Sequence, residues 1–388
     1  MRMTGLPRLS GRDPHEEGRA ATPLELFFDL VFVVAVALAS QNLHHLESED
    51  HFSTGLVRYL MVFFAIWWAW MNFTWFASAY DSDDWLYRLL TLLQMGGALV
   101  MAAGIPDAMN GLDFRLVVVG YVVMRFALVT QWLRAAHGDA ARRQTAIRYA
   151  VGVAAVQVLW IGFQLVPESA KVAVFAVGVV CELAVPAIAE RTGMTSWHPH
   201  HIAERYGLFT ILVLGESILA STLAIVEAVE ESDHYGQLIT ISMSAFVIVC
   251  GMWWVYFAYP QHRRLDSLGH ALNWGYGHYV VFASAAAFSA GIEVALDYET
   301  HHASIEAAQS AAATCVPVAA FLLAAWWLAV RPHADRVVNM VFPATAVLVL
   351  AATFAPYSLP LVAVLMTIAV AVMVVRTPVP IVESAGNH

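Results

Sequence analysis

Polar residues are sparse along this chain, and the apolar ones between them run in blocks of helix-spanning length. A bilayer core of roughly 30 Å takes about 20 apolar residues in an α-helix. Twelve stretches meet that length, at 24–43, 56–79, 86–105, 114–135, 147–165, 170–189, 204–226, 237–259, 271–295, 306–330, 337–354 and 358–375. Pro167 separates the fifth from the sixth, and Pro356 the eleventh from the twelfth. The pattern predicts an all-α polytopic membrane protein of about twelve transmembrane helices.

Charge supplies an orientation, because cytoplasmic loops concentrate Arg and Lys. With the N-terminus inside, only Arg58, Arg115 and Lys171 of the 20 basic residues fall outside, and Arg125 is embedded. Both termini are therefore expected in the cytoplasm. The first span follows a stretch mixing Arg with Asp13, Glu16 and Glu17, and reads as a retained signal anchor. Composition agrees: 60% hydrophobic and 13% charged residues exclude an ordinary soluble domain. The net charge of -10 comes without a basic patch, which argues against a nucleic-acid partner. Cys181, Cys250 and Cys315 all lie inside spans and share no CxxC spacing, so neither a disulfide framework nor a zinc ribbon is expected.

The chain also resembles itself. Trp67 and Trp68 fall on Trp253 and Trp254, Gly104 on Gly291, Arg148 on Arg336 and Pro167 on Pro356, at offsets that creep from 186 to 189. Six helices per copy make a parallel repeat about an axis along the membrane normal. The expected organisation is a cytoplasmic N-terminal tail (1–23), a first six-helix repeat (24–190), a His-rich cytoplasmic connector (191–203), a second repeat (204–376) and a cytoplasmic C-terminal tail (377–388). The same offset carries Asp29 onto Glu216, which predicts an acid pair near the pseudo-twofold axis.

Ionisable groups inside a bilayer cost several kcal/mol and turn toward the bundle interior. Here they are Asp29, Arg125, Glu182, Glu216, His278 and Glu293, with Glu25 and Glu204 nearer the inner surface. Arg125 lies about 15 Å from either end of its span and needs a buried carboxylate, for which Glu216 and Asp29 are the candidates. Glu25 and Asp29 are four apart and share a helix face; Glu25, following Pro23, can equally be an exposed first-turn acid. His278, beside Gly275 and Gly277, is placed to relay protons. Asp84 and Arg88 have ion-pair spacing at a helix start. In "SWHPHHIAERYG", His198, His201 and Glu204 are weak candidates for a divalent metal, against which stands a solvated cap with Glu204 paired to Arg205. Outside, "HHLESEDH", "EAVEESDHYG" and "DYETHH" mix acids with histidines and either attract cations or are plain solvated loops.

Four stretches together resemble the bacterial low temperature requirement protein A family: "TPLELFFDLVFV" at 22–33, "FASAYDSDDWLYRLLTLLQMGGALVMAAGIP" at 76–106, "HHIAERYGLFTILVLGESI" at 200–218 and "WGYGHYVVFASAAAFSAG" at 274–291. The resemblance implies an integral bacterial membrane protein, in a family named for growth in the cold. It places Glu25, Asp29, Asp81, Asp84, Arg88, Glu204, Arg205, Glu216, Gly275 and His278 in motif positions, without assigning them roles.

These features lead to an expected secondary transporter or permease of the bacterial inner membrane, moving a small solute or ion. Asp29, Glu216, Arg125, His278 and Glu25 would couple it to protons or a cation, and Asp81, Asp84, Arg88, Glu204 and Arg205 would form an inner gate. The alternatives are an intramembrane metal-dependent enzyme acting on lipid, and a sensor or scaffold in cold adaptation. An enzyme is the less expected outcome, because no nucleophile and base share a recognisable spacing. No cofactor is expected beyond the possible divalent metal.

Overall fold

The computed structural model describes residues 7–230, 235–265 and 267–376. Twelve helices among these residues are long and apolar enough to cross a membrane. They are α1 (Pro23–Ser48), α2 (Phe52–Tyr80), α3 (Trp85–Gly111), α4 (Arg115–Gly138), α5 (Arg143–Phe163), α6 (Glu168–Ala189), α7 (Pro199–Leu223), α8 (Tyr235–Phe257), α9 (Leu268–Glu299), α10 (Ala307–Val330), α11 (Arg336–Phe354) and α12 (Ser358–Arg376). The number and order match the apolar blocks of the sequence. Several ends run further, because helical hydrogen bonding continues past the apolar stretch into polar residues such as those at the end of α1.

Burial sorts the helices. The most apolar windows of α2 and α9 are 83% and 78% buried, against 33% for α6, α11 and α12, so α2 and α9 form the centre and the other three the rim. Helix α1 packs on α2, α3, α7 and α9. Helix α4 packs on α2, α3 and α5. That division decides below which charges can meet.

Glycines set two of the tightest crossings. A Cβ on Gly104 of α3 would lie 2.7 Å from Leu116 Cβ on α4, and one on Gly291 of α9 would lie 2.2 Å from the Ala313 carbonyl oxygen on α10. Helices α3 and α4 thus touch at Gly104, and α9 and α10 at Gly291. The aligned tryptophans differ: Trp67 and Trp68 are buried, whereas Trp253 and Trp254 are about half exposed.

Residues 7–22 lie across one end of the bundle, called here the near end. Leu9 is buried against Gly138. The Arg12 amide donates to the Ala79 carbonyl, and the Arg19 guanidinium donates to the Ala77 carbonyl at 3.0 Å. His198 Nε2 reaches the Glu16 carbonyl at 2.9 Å, and the Ala21 amide donates to Glu204 at 3.2 Å. What the sequence offers as a tail is a strap bound to several helix ends. Residues 377–388 lie outside the described residues.

The turn between α2 and α3 shows how polar residues cap this end. Asp84 accepts hydrogen bonds from the Leu86 and Tyr87 amides, both at 3.0 Å, and pairs with Arg134 of α4. Arg88 pairs instead with Asp83 at 2.6 Å, so the expected Asp84–Arg88 pair is replaced. Asp83 sits at φ 47° and its carboxylate takes Arg88, while Asp84 serves the helix N-terminus. Burial alone would raise the Asp84 carboxyl, but hydrogen bonds from Arg134, Ser82 and the Tyr87 amide hold it below the usual range. Its stabilising contribution is therefore complete above about pH 4 and is lost as the pH falls through the lowered folded value. Asp84→Ala should cost at least the 0.5–2 kcal/mol typical of a lost cap. Thermal unfolding in detergent across pH 3 to 7 checks this: Asp84→Asn should keep part of the capping and lose the acid sensitivity.

Candidate functional site

Two i,i+4 pairs, one of acids and one of basic side chains, meet where α1 crosses α7. Glu25 and Asp29 project from one helix, His201 and Arg205 from the other, and all four side chains are fully buried. Arg205 spans both acids. Its Nε donates to Asp29 Oδ2 at 3.2 Å, a second nitrogen pairs with Asp29 Oδ1, and Nη1 lies 2.9 Å from Glu25 Oε1. His201 Nε2 is 3.2 Å from Glu25 Oε2. Trp70 of α2 donates its indole N–H to Asp29 Oδ1 at 2.7 Å.

Local sequence explains why Glu25 is held so firmly. Thr22 is the N-cap of α1 and accepts from the Glu25 amide, while Glu25 Oε2 accepts from the Thr22 amide at 2.8 Å. This capping box closes the start of α1 and leaves Oε1 facing Arg205. Glu25 is therefore both first-turn acid and buried ion partner; the exposed acid allowed by the sequence is not what forms. Asp29 and Arg205 each lie six residues inside their helix, about 9 Å from its start.

The contacting charges do not balance. In direct contact, two carboxylates face one guanidinium in a site without solvent contact, with the buried Arg19 guanidinium of the strap within electrostatic reach of Glu25; a carboxylate without a contacting cation favours taking up a proton. His201 Nε2 faces Glu25, and its buried Nδ1 has no hydrogen-bond partner. The Tyr87 hydroxyl of α3, also buried without a partner, stands within electrostatic reach of Glu25 and Arg205.

Solvent comes close from one direction only among the described clefts. A cleft of about 710 Å³ opens at the near end, lined by strap residues including Glu16 and Arg19 and by His198, His200 and His262. His198 Nδ1 accepts from the His201 amide at 3.2 Å, so this cleft ends one residue contact from the network. Burial lowers the His198 pKa, which favours the neutral ring that this acceptor role requires. Asp81 is nearby, 3.5 Å from Arg12; burial raises its carboxyl, and the charge of Glu25 adds to that.

The other sequence candidates lie elsewhere. Arg125 meets neither Asp29 nor Glu216. It bonds to the Tyr121 hydroxyl one turn back, which donates to Glu182 Oε1 at 2.7 Å. The indoles of Trp68 and Trp160 complete the Glu182 site at 2.7 and 3.0 Å. The cause is packing, since α4 faces α2, α3 and α5 and the acids of α1 and α7 are out of its reach. Glu204 is exposed and accepts from Ala21, while Arg205 turns inward, so the expected Glu204–Arg205 pair does not form. His198, His201 and Glu204 do not converge, and among the described residues no group of three His, Cys, Asp or Glu side chains is placed to hold a metal. His278 is buried with both nitrogens engaged, Nδ1 on the Trp274 carbonyl at 2.7 Å and Nε2 on the Tyr256 hydroxyl at 2.9 Å. That pattern satisfies a neutral Nδ1–H ring, with the Tyr256 hydroxyl donating to Nε2. Glu216 is half-buried on α7, eleven residues beyond Arg205 and so about 16 Å further along the helix; its charged neighbour is Glu293. It is not paired with Asp29.

The model of the bacterial low temperature requirement A protein matches residues 20–376. The chain belongs to that family. The low temperature requirement A match begins inside the strap, ends on the last residue of α12, and so takes in the whole bundle and every residue of the network. A similar chain is an uncharacterized protein of Rhizobium meliloti (strain 1021), 31% identical over 261 residues, which are 65% of this chain and 61% of that relative.

Sequence reasoning identified Glu25 and Asp29 but missed Arg205 as their countercharge, and it missed Trp70 altogether. The signal was present: acids at i,i+4 on one helix and basic groups at i,i+4 on another are complementary in spacing and in sign.

Proposed function

We propose that this chain is a proton-coupled secondary permease of the bacterial cytoplasmic membrane, with its near end and both termini in the cytoplasm. Its two six-helix halves are related as parallel repeats, and α1 and α7 are the first helices of each. The observation that carries the reading is the sealed network of Glu25, Asp29, His201 and Arg205, in which one guanidinium contacts two carboxylates. One proton balances those contacts. Uptake on His201 or on an acid loosens the hold of Arg205, and release restores it, so the crossing of α1 and α7 has two electrostatic states for a transport cycle to use. The near-end cleft and His198 provide the cytoplasmic approach, and Asp81, Asp84, Arg88 and Glu204, held with the strap and the α2–α3 turn, form the gate over it. A small solute or ion is the cargo.

A second reading, a static brace in a membrane scaffold, is favoured by the complete burial of all four side chains. Flux separates the two. Proteoliposomes loaded with a pH-sensitive dye should pass protons under an imposed gradient, and Asp29→Asn should reduce the flux to the protein-free background. Folded protein with no flux under proton or cation gradients, with and without added solutes, would sink the permease and leave the brace.

A further inference from the structure

The far end of α1 carries a second ionic cluster that neither the repeat nor the near-end network uses. His44 stands between two acids of α9: Nδ1 is 3.0 Å from Glu293 Oε2, and Nε2 is 2.6 Å from Asp297 Oδ2. The ring is 13% exposed. Ser48 donates to the same Asp297 oxygen at 2.8 Å, which fixes that carboxylate as an acceptor. An ionised carboxylate oxygen can only accept, so a ring facing one at each nitrogen is satisfied only with a hydrogen on both.

The surroundings hold further acids, a tyrosine and two more imidazoles. Glu47, one turn along α1 from His44, is buried with Oε2 lacking any hydrogen-bond partner. Glu216 of α7 neighbours Glu293. Tyr59 of α2 stands by Glu47, and His302, beyond α9, stands by Asp297. His45 lies beside His44, its ring centroid 4.8 Å away. None of the ion pairs described for Glu293 and Asp297 involves Lys or Arg. The end of α1 also presents the negative pole of its helix dipole.

We propose that this cluster is a second proton-binding station, with His44 as the imidazolium clamped between Glu293 and Asp297. The part it plays in transport rests on the permease reading; the bound proton does not. A proton leaving Nδ1 breaks that N–H bond and forms an O–H bond on Glu293, next to Glu216. The other hydrogen stays on Nε2 against Asp297. Helices α1 and α7 then each touch both stations, α1 through Asp29 and His44, α7 through Arg205 and Glu216.

Solid-state nitrogen NMR of the full-length protein, labelled in its histidine rings and held in lipid vesicles, tests the station without reference to transport. At pH 8 an unperturbed imidazole, with a pKa of about 6.5, is roughly 3% protonated. A doubly protonated ring signal should persist there and disappear in His44→Gln. Asp297→Asn, which keeps the ring, should move its titration to lower pH. A spectrum at pH 8 from which His44→Gln removes no doubly protonated signal overturns the station. Should the signal be present while the wild-type protein passes no protons, the permease reading fails and the station stands. Undiminished flux in folded His44→Gln would overturn its part in transport.

Discussion

Arg205→Ala is expected to be among the most destabilising single substitutions in this chain. It removes the one guanidinium from a fully buried site and leaves Glu25 and Asp29 four residues apart on one helix face. Breaking a buried ion pair by deleting one partner typically costs about 3–5 kcal/mol, because the surviving charge is stranded. The capping box and Trp70 would still serve each carboxylate, and partial protonation would relieve the rest. Arg205→Lys should recover only a fraction, since an ammonium cannot present the planar fork that meets both acids. By contrast, Arg205→Met combined with Asp29→Leu and Glu25→Gln replaces the network with neutral groups of similar size and should recover most of the folded yield. Thermal unfolding and detergent-extraction yield of the four proteins decide it. A melt unchanged in Arg205→Ala would mean that both acids are already protonated.

Gly291→Ala should be nearly as harmful, for a reason that involves no charge. The added methyl would fall 2.2 Å from the Ala313 carbonyl oxygen and 2.6 Å from its carbon. Both are backbone atoms, so no rotamer change relieves the contact, and α9 must move away from α10. Overpacking of this kind costs about 1–3 kcal/mol, and membrane helices depend on small residues at such crossings because lipid supplies no hydrophobic drive between them. Gly96 on α3 is the control, with nothing within 4 Å of its would-be Cβ. Gly96→Ala should be neutral or stabilising by up to about 1 kcal/mol, from helix propensity. Equal melting temperatures for the two variants would refute the close crossing.

The twelve spans were legible because an uninterrupted apolar run of bilayer length has one inexpensive solution. The buried acids were legible from the same cost. Their partners were not, because partner choice depends on which helices touch. Arg125 was the prominent embedded cation, yet α4 lies away from α1 and α7 and settles on Tyr121 and Glu182. Arg205 sits near a span boundary, where an arginine reads as solvated, and only the crossing of α1 with α7 turns it inward. His44 was read as part of an outer loop; in the structure it belongs to a helix that continues to Ser48 and is bound by α9.

The separation of 176 positions from Asp29 to Arg205 also sets a timetable for synthesis. At roughly 5–20 residues per second, the ribosome takes on the order of ten to thirty seconds to follow the first helix with the arginine that neutralises it. During that interval Glu25 and Asp29 enter the bilayer protonated or wait at its surface within the insertion machinery. A chain truncated after α6 would leave the first helix permanently without its countercharge.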